Sequence, residues 1–385
     1  MRRIIILPCI VMTALLAACG SRIAPRDAEG GIVLKPLEQT RKVDDISTWV
    51  DAVEFVRIAD DERTLFSTVV KMLLDDSGNI FLLDDQGRIV ALKRDGTFLR
   101  TVARQGRANN EYISVSDIAV AGPEFMILDG SKVKCFDLSD PSGVRSIDIP
   151  VSVPCDALAP DGDGGVYLFS AFSLDPAENR SDADSLLYRV SAEGDLVGSY
   201  LRRTDCTLSL NNISQSSCGE YMLRPQDGNH IFYRLTADGI VPAYRVDFGD
   251  ENIPYRYYFD VAGEDLMSYI MSPYYKMPME LHETASHLFF RVAGPEAREV
   301  SVVYDSGSST GIMWENAPSD MQMQILGSDG KWFYAIMPET GGADDGMHGP
   351  LYGYVQKALS EKALSEKEPD AADHSYIVKI RFSKM

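Results

Sequence analysis

Short apolar runs punctuated by tight, glycine-containing turns constrain this chain more than any other feature of its sequence. The pattern is clearest from Val69 to Gly106. There Val69–Leu74, Ile80–Leu83, Ile89–Leu92 and Phe98–Val102 are rich in β-branched, aromatic or leucine residues, and the segments between them carry Ser77-Gly78-Asn79, Gln86-Gly87 and Asp95-Gly96. Glycine and asparagine tolerate the positive φ that short hairpin loops impose, so each run turns straight back on the one before. Four antiparallel strands in about 40 residues make one meander, the size of a propeller blade. A sheet so small buries little by itself and has to stack on others like it.

The unit recurs with drift. Further copies run over Ile113–Val151, Cys155–Arg203 (with a polar insert, Ser173–Ser185), Thr204–Gly249 and Leu266–Ser319, and a last one begins near Met321. In that last unit Gly341–Gly349 reads as an acidic loop. Leu351–Glu368 contains a duplicated Lys-Ala-Leu-Ser-Glu and reads as a short amphipathic helix packed on the outside. Tyr376–Phe382 closes the chain as one more strand. The last unit thus lacks an outer strand, while Val53–Ile58 near the N-terminus has no unit of its own. Pairing the two ends closes a ring and removes the open sheet edges of a linear array. The expectation is an all-β fold over residues 46–385: a six-bladed β-propeller of four-stranded antiparallel blades, closed by N- and C-terminal strands, with a short helix in the last blade. Seven blades is the alternative if the fifth region hides a split unit.

The N-terminus has a different character. Met1-Arg2-Arg3 is cationic, and Ile4–Ala18 is apolar except at Pro8, Cys9 and Thr13. This is the layout of an export signal, and the run is too short to be read first as a spanning helix. Leu16-Ala17-Ala18-Cys19-Gly20 resembles a lipobox, in which small residues admit the chain to a peptidase and the cysteine thiol receives the lipid. The expectation is a signal peptide over residues 1–18, a lipid anchor on Cys19, and a linker over 19–45 whose Ser21–Gly31 part is a flexible leash. Such an anchor holds a protein to a membrane without spanning it. No acidic cluster follows Cys19 of the kind that resembles a surface-export tag. The periplasmic side of the outer membrane is therefore expected, with surface exposure as the alternative.

Formal net charge is -20, and falls to -22 once Arg2 and Arg3 leave with the signal. So acidic a body argues against a nucleic-acid partner and against a broad electrostatic hold on anionic membrane. Four cysteines remain beyond Cys19. Cys206 and Cys218 are close enough to pair across neighbouring strands, Cys135 with Cys155 is the matching pair, and three connectivities stay open. The absence of any C-x-x-C argues against a redox or zinc role.

Asp75 to Tyr112 carries a family resemblance. Asp-Ser-Gly-Asn-Ile-Phe-Leu-Leu-Asp, then Asp95-Gly96-Thr97-Phe98, then Gly106 leading to Glu111-Tyr112 resemble the six-bladed β-propeller lipoproteins of Gram-negative envelopes, distantly related to NHL-repeat proteins. That family tends to carry Gly-x-Gly-Pro-x-Glu-Tyr at the last place; this chain keeps the first Gly and the Glu-Tyr but lacks the second Gly and the Pro. The resemblance implies architecture and little chemistry.

In a propeller the loop from an outer strand to the next inner strand lies on the face that usually carries the site. Arg104–Tyr112 is such a loop, and Arg104, Arg107, Asn109, Asn110, Glu111 and Tyr112 have the charged and amide groups to hold a sugar or carboxylate. Glu111 and Tyr112 serve equally as caps of a blade junction. Tyr255, Tyr257, Tyr258, Phe259, Tyr269, Tyr274 and Tyr275 form the densest aromatic stretch, and Tyr274 and Tyr275 are its leading binding candidates. His282 and His287 are five apart, which is not the spacing of a helical metal pair. Asp161–Gly165 reads as a hairpin turn rather than a calcium loop, and His230, His348 and His374 have no Cys or carboxylate at ligand spacing in the sequence. No metal or cofactor is expected. The leading functional expectation is a monomeric binding module for a glycan, peptide or envelope protein. The alternatives are a propeller enzyme (metal-dependent lactonase, lyase or glycan hydrolase) and a structural scaffold of an outer-membrane assembly.

Overall fold

The computed structural model describes residues 30–140, 143–170, 185–202, 213–217, 219–225, 230–254, 257, 266–317, 323–337, 348–366 and 374–385. Its strands form six blade sheets in a ring and one separate two-stranded ladder. The first blade holds Val69–Leu74, Ile80–Asp84 and Ile89–Leu92; the second Asp117–Ala121, Glu124–Asp129, Lys132–Asp137 and Val144–Asp148. The third holds Ala157–Pro160, Val166–Phe169, Ser185–Val190 and Leu196–Arg202; the fourth Ile213–Ser217, Glu220–Leu223, Ile231–Thr236 and Gly239–Val246. The fifth runs through Pro278–Glu283, His287–Ala293, Glu299–Asp305 and Thr310–Asn316. The sixth joins Ile325–Ser328, Phe333–Met337 and Tyr376–Phe382 to the N-terminal strand Val50–Arg57. Successive innermost strands meet all the way round, the sixth returning to the first. There are six blades, so the seven-blade alternative falls.

Closure follows the expected pairing of the two ends. Val50–Arg57 runs antiparallel to Tyr376–Phe382, with Val56 opposite Ile377 and Glu54 opposite Lys379. The seam with the first blade is tightened at Gly96, whose φ is +80° and whose missing side chain leaves room for the carbonyl of Arg57; a Cβ there would stand 2.2 Å from that oxygen. Between the sheets lie continuous apolar layers, as the alternation of the strands requires. Phe81 of the first blade meets Phe125 of the second at 5.1 Å, and Phe289 of the fifth meets Phe333 of the sixth at 6.0 Å.

Four expectations need correction. The fourth strand of the first blade shrinks to a bridge between Leu92 and Phe98, because the chain beyond it turns away and Arg100 donates to the Leu138 carbonyl of the second blade. Part of the expected linker over 19–45 belongs to the body. Ile32–Leu34 adds a parallel fifth strand to the outer edge of the fourth blade, and Thr40–Lys42 does the same to the fifth. The helix Pro350–Glu366 keeps its apolar stripe only as far as the first repeat: Leu351, Tyr352 and Val355 are buried against the last blade and Leu359 packs partly against it, whereas Leu364 in the second repeat is 81% exposed. Finally, Cys135 and Cys155 are buried but no bond joins them. Cys19, Cys206, Cys218, Tyr255, Tyr258 and Phe259 lie outside the described residues.

Candidate functional site

The axis of the ring is closed by polar side chains. Gln215 reaches from the fourth blade to the first, which stands opposite. Its Nε2 donates to the Leu74 carbonyl (3.0 Å) and its Oε1 accepts from the Leu74 amide (2.8 Å). The Gln215 carbonyl lies 3.2 Å from His282 Nδ1 of the fifth blade, and Ser328 of the sixth donates to the Ser216 carbonyl. At the start of the inner strands, Lys71 donates to Asp117 at 2.7 and 2.8 Å, and Asp117 also accepts from the Leu158 amide (2.8 Å). Burial pushes the Asp117 carboxyl up, against the pull of Lys71. These bonds satisfy groups that a wider channel would leave to water.

The loop 104–112 is built in two layers. Arg104-Gln105 and Glu111-Tyr112 form a small parallel ladder. Glu111 turns inward: its carboxylate accepts from the Ala108 amide (2.8 Å) and fills the space beside Gly106, where a Cβ would meet it at 1.9 Å. Lys134 donates to the Glu111 carbonyl, and Asp129 accepts from the Ser114 amide at 2.9 Å. Tyr112 is buried. Tyr112 thus caps the junction of the first and second blades, and the half-buried Glu111 carboxylate is engaged in holding its own loop. Arg104, Arg107, Asn109 and Asn110 are exposed, and their side chains have no partner among the described residues.

The tyrosines sit elsewhere. Tyr257, Tyr269, Tyr274 and Tyr275 lie in the connection between the fourth and fifth blades, on the same face but across the axis, so the structure does not unite them with the arginine loop. Tyr275 is buried and stacked on Phe248 (4.2 Å, 3°), which makes it a packing residue. Tyr274 is half-buried beside Tyr257 (5.7 Å), in a small cluster with Tyr269, Ile253 and Met277.

Beneath this cluster is a group that no sequence pattern singles out. Lys276 is 1% exposed and donates to the carbonyls of Ser272 (3.2 Å) and Gly294 (2.5 Å), with no carboxylate partner among the described residues. Burial lowers its pKa to about 8. The hydroxyl of Ser272 is buried with no hydrogen bond among the described residues. The adjoining turn places two non-glycine residues, Glu296 and Ala297, at φ 54° and 63°, a costly conformation held by the Glu296 amide donating to Ser272 O. Apolar flanks (Tyr275, Met277, Pro278) surround Lys276 in sequence, and only the fold shows that carbonyls, not an acid, receive its protons.

The other candidates resolve as structure. His287 Nε2 lies 2.9 Å from the Ser383 carbonyl. Asp161 accepts from the amides of Asp163 and Gly165 (both 2.8 Å), the hairpin device expected of it. On the opposite face, between the second and third blades, is a cavity of about 340 Å³ lined by Glu124, Met126, Asp137 and Gly164 among others. Arg145 grips Glu124 there at 2.7 and 2.6 Å and donates to Gly164 O. Among the described residues no three His, Cys, Asp or Glu side chains converge to hold a metal, and no helix is long and apolar enough to cross a membrane.

An axis crossed by polar side chains, six blades built on antiparallel strands and long connections on one face define a six-bladed β-propeller. Residues 30–326 match the DUF5128 family, described as a 6-bladed beta-propeller, and the chain belongs to that family. Among solved structures it is similar to a protein of Bacteroides fragilis described as exported, with 15% identity over 92% of this chain and 100% of that one and a TM-score of 0.69. A DUF4221 protein of Bacteroides vulgatus aligns over 86% of this chain and 99% of that one, at 9% identity and a TM-score of 0.47. No curated protein matches in sequence.

Proposed function

We propose that this protein is a lipid-anchored binding module of the cell envelope. Residues 1–18 direct export, Cys19 carries the lipid, and the propeller works on the periplasmic side of the outer membrane. The signal and lipobox pattern supports this, as does the similarity to a protein described as exported. The ligand is an envelope glycan, peptide or partner protein, met by the loop 104–112.

One observation carries the binding reading. The inward groups of that loop are engaged in holding it, while Arg104, Arg107, Asn109 and Asn110 face solvent without partners among the described residues. A platform fixed from below loses little conformational freedom when it binds, which is what preorganised recognition requires. Guanidinium and amide groups suit carboxylates, sugar hydroxyls and peptide carbonyls.

The test is a thermal-shift screen of residues 20–385 against envelope glycans and muropeptides. A ligand at about 100-fold its Kd stabilises by roughly 2.7 kcal/mol. A shift that Arg107→Ala abolishes is the expected result; a shift that survives Arg107→Ala and Asn109→Ala places the site elsewhere, and no shift with any compound moves the reading to a protein partner. Lipidation is checked separately, by loss of palmitate labelling in Cys19→Ala.

A further inference from the structure

We propose that the strap formed by residues 32–42 is a membrane-docking edge, so that the propeller stands edge-on against the lipid bilayer with both ring faces open. This rests on the lipid-anchor reading for the direction in which the chain leaves the ring. The strap covers the outer edges of two adjacent blades, the fourth through Ile32–Leu34 and the fifth through Thr40–Lys42. It is also where apolar exposure concentrates. Of twelve exposed large hydrophobic side chains among the described residues, Ile32 (61%), Val33 (38%) and Leu37 (39%) fall within six positions, and Val241 (50%) lies on the strand beside them.

Two further features name the bilayer as the occupant. The first is reach. Between Cys19 and the start of the described body lie the residues from Gly20 to Glu29, which span roughly 35 Å at most when fully extended. A lipid on Cys19 therefore keeps this edge, ahead of any other part of the rim, close to the membrane. The second is local charge. A mature body of net charge -22 repels an anionic surface, yet the strap itself carries Lys35, Arg41 and Lys42 against Glu38; Lys35 pairs with Glu38 and Lys42 with Glu315 of the fifth blade, and Arg41 lies over the Trp49 ring. Exposed aliphatic side chains flanked by lysine and arginine are the composition of interfacial segments.

The experiment tethers residues 20–385, which contain every strand of the ring, through an N-terminal histidine tag to nickel-lipid vesicles of phosphatidylethanolamine and phosphatidylglycerol. This arm needs no lipidation, so it separates failure of the docking edge from failure of the Cys19 reading; the lipidated full chain in the same vesicles is the second arm. Leu37→Trp and Ser146→Trp place reporters on the strap and on the exposed outer strand of the second blade. Brominated lipids are expected to quench the added fluorescence of Leu37→Trp at least twofold more than that of Ser146→Trp, and Ile32→Asn with Val33→Asn to remove the difference while leaving the melting temperature unchanged. Equal quenching at both positions, or a Leu37→Trp signal that changes with protein concentration in the absence of vesicles, overturns the proposal; the second outcome assigns the edge to another copy of the chain.

Discussion

Two connections hold equivalent places on one face of the ring and are built on opposite plans. Between the first and second blades, the loop 104–112 uses its carboxylate on its own backbone and leaves its cations outside, in water. Between the fourth and fifth, a lysine is driven inside with two carbonyls and, among the described residues, no counter-charge, beside an unbonded hydroxyl and a turn in left-handed conformation. The first arrangement leaves no buried charge unmatched and exposes hydrogen-bonding groups. The second stores unfavourable free energy, since a buried ammonium without a carboxylate is held only by dipoles. Recognition chemistry is therefore expected on one side of the axis and sensitivity to conditions on the other.

The largest effect expected of this contrast is a pH dependence that Lys276 contributes at the fourth–fifth junction. Lys276 has a folded pKa of about 8 against an ordinary 10.5. Between those values the unfolded chain holds a proton that the native protein has released, so stability rises with pH across that window. The gain amounts to roughly 3 kcal/mol. Urea melts at pH 7.5 and 10 read it as the difference between wild type and Lys276→Met, because Cys135 and the buried tyrosines, whose pKa values burial raises, lose stability over the same range in both proteins; the variant is also expected to be the more stable protein at neutral pH. An unchanged slope in the variant would refute the uncompensated lysine.

His282, on the inner strand of the fifth blade, extends the same logic to acid. Burial lowers its pKa to about 4 from 6.5. Its contribution is complete above pH 6.5 and is lost as pH falls towards 4, because the unfolded chain then binds a proton the native site refuses. The loss is of similar size, about 3 kcal/mol. The difference between wild type and His282→Gln in melts at pH 7 and 4.5 measures it, with the wild type losing more.

A smaller effect tests the other loop. Gly106→Ala would place a methyl group within the Glu111 carboxylate, which must swing out and release the Ala108 amide. The cost is about 1–2 kcal/mol, read as a lower urea midpoint with an unchanged slope. Glu111→Gln in the same background should add little, since the bond is already lost.

Much of this was legible before the fold. Turn glycines and alternating runs located the six sheets, and the pairing of Val53–Ile58 with Tyr376–Phe382 followed from an orphan strand at each end. The strap was not legible, because Gly30-Gly31 and Pro36 interrupt a segment too short to show a period, and its strands exist only through the edges they join. Of the candidate residues, Arg104, Arg107, Asn109 and Asn110 could be chosen by type and place, and the fold leaves them exposed. Whether Glu111 faced in or out could not, since either direction fits Glu-Tyr at a strand start. Lys276 shows the deeper limit. A lysine in an apolar stretch usually extends to water, and nothing local records that its neighbours from the fifth blade close over it.

The smallest effect draws the sharpest line between the two junctions. Arg107 is exposed and has no partner among the described residues, so Arg107→Ala should leave stability within about 0.5 kcal/mol, the range of surface substitutions free of special contacts. If the loop is the recognition surface, the same variant weakens binding by roughly tenfold or more, because a charge-assisted bond contributes about 1.5–3 kcal/mol. Arg107→Lys discriminates further. It keeps the charge but lacks the planar fork, so a carboxylate or sugar held by two parallel bonds is weakened, and one held by charge alone is not. Stability and affinity are then read on one residue, and only their separation, an unmoved melting temperature with a lost ligand, distinguishes a platform built for binding from a loop that merely closes a blade.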